Sequence, residues 1–402
     1  MKKRILFVDD EPLVLQGIQR MLRGMREQWD MDFAEGGAKA KEQLAVADYD
    51  VVVTDMMMPG VNGADVLDHA RLHSPRTVRL VLSGHAEQSV AVQCVGVAHQ
   101  YLTKPCDAET LKQTVTRLTD PAFALQNEHV MKLVAQLKHL PSIPEIYTKI
   151  VELLHDPNSS IEDVGALISS DMAMTAKILQ IVNSSFFGLA RRVSRPVEAA
   201  GYLGIDTLKS LVLATNVFGQ YETKAPNGYS AVEAAKHSQE VGAAARAIAK
   251  AEDMHRGVVD DAFVAGLLHD VGDLVLASSM PEQFERAAAQ PDANGLTAEM
   301  EIFGTTHAEV GGYLLGLWGL PARVIEGISL HHQPRDSKVP EFSPLTAVHV
   351  AECLVGERAS AKSSKPAPAV DLEYLAKIGL SDRLPAWRTA VEETLSGIPS
   401  QN

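Results

Sequence analysis

The sequence predicts two structural classes in one chain, a parallel α/β domain followed by an all-α domain. Two observations carry this. Through about residue 125, short β-branched runs alternate with helix-periodic stretches. Beyond that point the strand signal stops, and Ala- and Gly-containing helical stretches follow one another through short loops. The expected boundaries are 1–122 for the α/β domain, 123–140 for a helical connector and 141–358 for the all-α domain. Residues 359–402 read as a linker and C-terminal helices that pack on the second domain.

In the first domain Ile5–Val8 is a buried strand, stopped by Asp9-Asp10-Glu11, and Pro12 suits a first helical turn. Trp29, Met31 and Phe33 alternate as a strand does; Ala40, Leu44 and Ala47 mark a helix face. Val51–Thr54 is the central strand, ending at Asp55, with Pro59-Gly60 turning the chain away. Ala64–Arg71, Glu87–Val95 and Glu109–Leu118 read as helices, Val78–Ser83 and Gln100–Thr103 as strands. Helices between parallel strands cover both faces of the sheet.

Asp55 alone would equally suit a turn or helix cap. Its company changes that reading. Asp9, Asp10, Asp55, Ser83 and Lys104 all fall at carboxyl ends of strands, hence on one rim, where open α/β sheets bind ligands. Three crowded carboxylates repel unless a cation joins them, and an all-oxygen shell suits Mg²⁺. With a phosphoryl donor screened by the metal and Lys104, Asp55 can attack phosphorus and form an acyl phosphate. Ser83 can donate its hydroxyl to the new phosphate.

Residues 1–120 resemble a two-component response regulator receiver domain. The resemblance rests on Asp9-Asp10, on Asp55 followed by MMMPG, on Ser83 and on Lys104-Pro105. It implies a flavodoxin-like (βα)5 fold, with the Met57 carbonyl completing the metal shell and a cis peptide before Pro105. It also implies a switch aromatic at Tyr101, a sensor histidine kinase as phosphoryl source, and, by analogy, a homodimer through residues near 86–118.

The remaining composition excludes several classes. A formal net charge of −14 argues against general nucleic-acid binding, and the chain has no helix-turn-helix with a basic recognition helix, so direct DNA binding is not expected. Cys94, Cys106 and Cys353 form no CxxC pair, so neither a disulfide framework nor a thiolate zinc site is signalled. The apolar run after Lys2-Lys3-Arg4 is too short for a signal peptide, and no membrane insertion is expected. Together these point to a cytoplasmic protein.

In the second half, Asn127–Leu140 reads as a connector helix with Val130, Leu133, Val134 and Leu137 on one face. Helices follow over Ile146–Leu154, from the Ser160–Asp163 capping box to Ile168, and over Met174–Val182, Val197–Leu203, Thr207–Phe218, Val232–Ala251 and Ala262–Ala277. Ala308–Leu317, Ala322–Leu330 and Leu345–Val355 complete the domain, and Leu372–Ile378 and Ala386–Leu395 follow the linker. The chemistry lies in His237, His269-Asp270, His307, His331-His332 and Glu352, spread over several helices. Nitrogen and carboxylate ligands of this kind suit Zn²⁺, Mn²⁺ or Fe²⁺, which would activate a phosphoester toward hydrolysis. The same groups also suit buried hydrogen-bonded ties between helices.

Residues 135–345 resemble the HDOD family. The motifs are Leu140-Pro141-Ser142-Ile143-Pro144, Ile168-Ser169-Ser170-Asp171, Asn183-Ser184-Ser185, Leu203-Gly204, His269-Asp270-Val271-Gly272 and Trp318-Gly319-Leu320-Pro321. The resemblance implies a fold similar to HD phosphohydrolases, used mostly as an output or scaffold module. His237, His269 and Asp270 match the HD pattern; His307, His331 and His332 match ligand positions of the binuclear HD-GYP type. Glu352 stands where an HD enzyme carries Asp, Asp273 where HD-GYP enzymes carry Lys, and no GYP follows His331-His332. Three expectations result: a phosphorelay regulator whose HDOD half acts on a downstream protein, a phosphorylation-controlled metallohydrolase of cyclic dinucleotides or other nucleotides, or a nucleotide-binding module without turnover.

Overall fold

In a computed structural model of the protein, the described residues are 2–83, 97–104, 106–119, 159–183, 193–213, 219–220, 230–290, 296–360 and 368–396, with isolated positions between 128 and 153. The receiver-like half contains β1 (Lys3–Asp9), α1 (Pro12–Met21), β2 (Trp29–Glu35), α2 (Gly37–Val46), β3 (Val51–Asp55), α3 (Gly63–His73), β4 (Val78–Ser83), β5 (Gln100–Thr103) and α4 (Ala108–Leu118). The five strands are parallel in the order β2-β1-β3-β4-β5. The chain leaves β1 in one direction for β2 and returns past it to β3. The switch point therefore lies between β1 and β3, and their carboxyl ends carry Asp9 and Asp55.

Both faces of the sheet are covered, and the sequence alternation divides them. Ile5, Phe7, Val51 and Val53 enter one core, Leu6, Val8 and Val52 the other. The first core continues into the helical half. The predicted helix Glu87–Val95 and most of Asn127–Leu140 lie outside the described residues, although Val130 and Val134 are buried.

The helical half contains α5 (Ile161–Ile168), α6 (Met172–Val182), α7 (Pro196–Leu213), α8 (Ala231–Ala251), α9 (Arg256–Leu268) and α10 (Val271–Ser279). It continues through α11 (Pro281–Ala288), α12 (Leu296–Phe303), α13 (His307–Leu317), α14 (Ala322–Ser329) and α15 (Pro344–Ser360). The predicted capping box opens α5, with the Asp163 amide donating to Ser160 Oγ. Within α7 the two expected helices, Val197–Leu203 and the one beginning at Thr207, are parted by a non-helical Gly204, whose φ of 73° suits glycine; residues 214–218 of the second lie outside the described residues. The single helix expected over Ala262–Ala277 is two, α9 and α10, broken at His269-Asp270, where Asp270 leaves helical geometry at φ −97°, ψ 15°. The helices α11 and α12 are additions that periodicity did not signal. The stretch Arg256–Ser279 has the length and composition of a membrane span, but 72% of its apolar 18-residue window is buried inside this fold and the break divides it.

The C-terminal helices α16 (Leu372–Lys377) and α17 (Leu384–Ser396) rest on the helical half. Tyr374 Oη and Thr346 Oγ1 are hydrogen-bonded at 2.7 Å, and Trp387 Nε1 donates to Glu252 at 2.8 Å.

The two halves also touch. Gln100, at the start of β5, donates from Nε2 to the Leu317 carbonyl at 3.0 Å. Arg117, near the end of α4, donates to the Gly316 carbonyl at 3.2 Å and to Gln100 Oε1 at 3.0 Å. Arg79 on β4 is buried, bonded to His99 and the Val97 carbonyl, and its charge reaches Tyr313 of α13.

Candidate functional site: an acid rim and a histidine cluster

At the rim, the Lys104 ammonium donates to Asp9 Oδ2 at 2.8 Å and pairs closely with Asp55 Oδ1. The Met57 amide donates to Asp55 Oδ2 at 3.1 Å, and the Glu11 amide to Asp9 Oδ1 at 2.9 Å. Asp9 and Asp55 are buried, while Asp10 and Met57 are exposed beside them in sequence. Burial pushes the Asp55 carboxyl above its usual range against the opposing pull of Lys104. For Lys104 the order of effects is reversed in outcome. Burial would lower it, but hydrogen bonds to Asp55 and Asp9 outweigh that and hold it above its usual value. Ser83 ends β4 in register with Thr103, two positions beyond Val81↔Tyr101. The side chains of Ser83 and Tyr101, and the peptide before Pro105, lie outside the described residues.

In the helical half, the seven predicted side chains meet in one place. The break between α9 and α10 turns His269 and Asp270 to the same centre, which a continuous helix would not do at about 100° per residue. His269 Nε2 lies 3.0 Å from Asp270 Oδ2 and 3.2 Å from Glu352 Oε2. His237 Nε2, from the middle of α8, lies 2.9 Å from Glu352 Oε2 and 3.7 Å from Asp270 Oδ2. Asp270 Oδ1 faces the other way, 3.6 Å from His307 Nε2. His307 Nε2 and His332 Nε2 are 3.2 Å apart, and the rings of His331 and His332 are centred 4.0 Å apart. Two adjoining ligand sets result, His237–His269–Glu352 and His307–His331–His332, with Asp270 between them.

The backbone fixes which nitrogens face the centre. His269 Nδ1 donates to the Gly266 carbonyl at 2.8 Å and His331 Nδ1 to the Ile328 carbonyl at 2.7 Å, so each Nε2 is directed inward, as a lone pair wherever that nitrogen carries no proton. Those two Nε2 atoms and Glu352 Oε2 are buried without an aligned hydrogen bond, despite the short separations. Close but misaligned lone pairs are what a shared cation would satisfy. The donor set, imidazole with carboxylate, fits a first-row divalent ion better than Mg²⁺.

Charge follows the same pattern. Burial opposes a charged carboxylate at Glu352 and Asp270, but the surrounding histidines outweigh it and hold both below their usual range. Burial lowers His332 to about 3, with His307 adding repulsion, and it lowers His331 strongly too. His307 goes the opposite way, to about 10, because Glu299 and Asp273 outweigh its burial.

Glu299 is a functional candidate that the sequence did not signal. It lies on α12, accepts from the His307 backbone amide at 2.6 Å and from His307 Nδ1 at 2.8 Å, and so leaves Nε2 for the centre. The capping box of Thr306 and Glu309 starts α13 at His307 itself. His349 is a second addition. Its Nδ1 donates to the His331 carbonyl at 2.7 Å and its Nε2 accepts from the Asp371 amide at 2.9 Å, tying the C-terminal segment to the cluster. Asp273, which stands where the resemblance places a Lys, lies 3.9 Å from His307 Nδ1, and its burial pushes it up to about 7.

Comparison with known proteins agrees with both halves. The response regulator receiver domain model matches residues 5–116, and the HDOD domain model matches 140–334. This chain is a receiver domain joined to an HDOD domain. The receiver match includes the whole acid rim; the HDOD match includes every histidine of the cluster but ends before Glu352. Among relatives, an uncharacterized protein of Treponema pallidum is 27% identical over 243 residues, 58% of this chain and 46% of its own length. The response regulator protein PilR of Pseudomonas aeruginosa is 29% identical over 124 residues, 30% of this chain and 27% of its own. The receiver–HDOD chain thus spans less than half the length of these relatives. The crystal structure of the MmoQ response regulator from Methylococcus capsulatus shares the fold, with a TM-score of 0.50 at 22% identity, over 62% of this chain and 98% of that one.

Proposed function

We propose that the protein is a phosphorelay response regulator in which Asp55 accepts a phosphoryl group from a sensor histidine kinase and thereby controls the HDOD half. The observation that carries this is the convergence of Asp9, Asp55 and Lys104 at the β1/β3 switch point. An ionised Asp55 oxygen attacks phosphorus, the bond to the donor nitrogen breaks, and Lys104 balances charge on the phosphoryl oxygens. Asp9, Asp10 and Asp55, with the Met57 carbonyl, would hold Mg²⁺, which screens the incoming phosphate when bound. Ser83 and Tyr101 are the proposed phosphate-sensing pair. The protein is read as cytoplasmic, acting without direct DNA binding or membrane insertion, through a downstream protein, a nucleotide or a second copy of itself. The deciding experiment is incorporation of label from a small phosphodonor into the full chain, with Asp55→Asn as control. Label retained by the variant would sink the assignment.

A second reading is favoured by the unaligned buried lone pairs of His269, His331 and Glu352. In it the HDOD half is a metal-dependent phosphohydrolase acting on a cyclic dinucleotide or another nucleotide. His237, His269, Asp270 and Glu352 on one side, and Asp270, His307, His331 and His332 on the other, would hold Zn²⁺, Mn²⁺ or Fe²⁺. A divalent ion bound there supplies Lewis acidity toward a phosphoester. Glu299 keeps the His307 Nδ1 proton outside the centre, and the Gly266 and Ile328 carbonyls orient the other two rings. Metal analysis of the purified protein followed by a cyclic-dinucleotide hydrolysis assay with added Mn²⁺ tests this. Bound metal without turnover would leave the cluster as a binding or structural centre.

A further inference from the structure

The receiver touches the HDOD half at the far end of the element that carries half the histidine cluster. His307 is the first residue of α13, and Gly316 and Leu317 are its last two. The chain then turns through Trp318-Gly319-Leu320-Pro321 into α14, which leads directly to His331 and His332. The α13–α14 hairpin therefore has an open end with three cluster histidines and a closed end held by Gln100 and Arg117. Ten residues of helix separate these ends by about 15 Å.

The grip is chemically specific. The last carbonyls of a helix lack intrahelical donors and carry its negative pole, so a cation there is favoured. Arg117 supplies that cation to Gly316, and through Gln100 Oε1 it also aims the amide that serves Leu317. Gln100 begins the strand that ends at Thr103, next to Lys104 at the acid rim, so both ends of one short strand are engaged.

The hairpin is also stiff. A Cβ on Gly312 would fall 1.8 Å from Ser329 Oγ, and one on Gly272 would fall 1.9 Å from the His307 carbonyl oxygen. Such close approaches leave α13 little room to slide against α14 or α10. A movement imposed at Leu317 is passed along the pair rather than absorbed within it.

We infer that the α13–α14 hairpin, gripped at its closed end by Gln100 and Arg117, is the element through which the state of Asp55 is coupled to the His307–His331–His332 set. The inference rests on the response-regulator reading above and names its route. Coupling of this kind is reciprocal, so occupancy of the histidine set also biases the receiver.

Hydrogen–deuterium exchange on the full chain tests it, with beryllofluoride as the phosphoryl mimic. In the wild type, beryllofluoride should change exchange in 305–333 by roughly three- to tenfold, together with a change in 51–58. In the Gln100→Ala/Arg117→Ala double variant the response of 51–58 should persist while that of 305–333 disappears. Arg117→Lys, which keeps the charge but not the fork, should fall between them. A double variant with the full wild-type response at 305–333 overturns the inference. So does a wild type that responds at 51–58 alone. If 51–58 itself does not respond, the phosphoacceptor reading fails instead, and the route is judged without the mimic. Unchanged exchange at 305–311 and 328–333 in the double variant then overturns it; faster exchange there supports it.

Discussion

The acid rim and the histidine cluster are two answers to one electrostatic problem. Each gathers buried carboxylates that repel one another. At the rim, a resident cation answers: Lys104 lies between Asp9 and Asp55. At the cluster, among the described residues, no Lys or Arg forms an ion pair with Asp270, Asp273, Glu299 or Glu352; five histidines surround them. The lysine is a fixed charge beside one Asp55 oxygen, while the other accepts from the Met57 amide. At the cluster burial keeps His331 and His332 low, whereas nearby carboxylates outweigh burial at His237, His269 and His307 and hold them high; on the proposed metal reading a cation from outside would take the place of those protons. On the proposed reading, the difference separates a site to be modified from a site to be filled.

The largest effects test that separation. Asp55→Asn should abolish labelling by a small phosphodonor while leaving metal content unchanged, measured by scintillation counting and elemental analysis on one preparation. His269→Ala should do the converse. Loss of an inward Nε2 and of the ring between Asp270 and Glu352 should weaken Mn²⁺ binding by more than the ~10–100-fold typical of outer-shell losses. Phosphodonor labelling should persist. A His269→Ala protein that binds Mn²⁺ as the wild type does, by titration calorimetry, would make the cluster a structural tie.

A smaller effect is expected at Glu299. Glu299→Gln keeps an acceptor near His307 Nδ1 but removes the charge and presents an amide donor to the His307 amide. Mn²⁺ affinity should fall about tenfold. No change would show that the capping box at Thr306 alone fixes the ring.

How much of this is legible in the sequence differs between the two regions, for a physical reason. The rim follows from topology: a residue that ends a parallel strand must lie on the carboxyl edge, so strand order alone groups Asp9, Asp55 and Lys104. The cluster follows no such rule. Its seven side chains come from α8, the α9–α10 break, the start of α13, the turn after α14 and α15, and are grouped in the sequence only through a resemblance; the structure brings them together by means that periodicity hides. The α9–α10 break at His269-Asp270 sits inside an unbroken apolar pattern. Glu299 is carried by a short helix with no motif, eight positions before the histidine it serves. His349 lies within buried α15, where a lone histidine reads as core. The Gln100–Leu317 contact joins positions 217 apart, beyond any local pattern.

The smallest expected effect concerns stability at the rim. Asp55 is a buried carboxylate whose folded pKa is raised, mainly by desolvation, even with Lys104 beside it. For a raised carboxylate the sign is definite. Between the unfolded value of 3.8 and the higher folded value, the folded chain binds more protons than the unfolded one. The contribution of Asp55 to stability is full below 3.8 and is lost as pH rises through the folded pKa, so at neutral pH the ionised group costs stability. A neutral amide in its place removes that cost, while Lys104 retains Asp9. Asp55→Asn should therefore melt slightly higher than wild type at pH 7, with the gap closing as pH falls. Scanning calorimetry of both proteins across that range gives the answer. A variant that melts lower at pH 7 would mean that the Asp55–Lys104 pair outweighs desolvation, and that the rim is held together by the residue proposed as its phosphoacceptor.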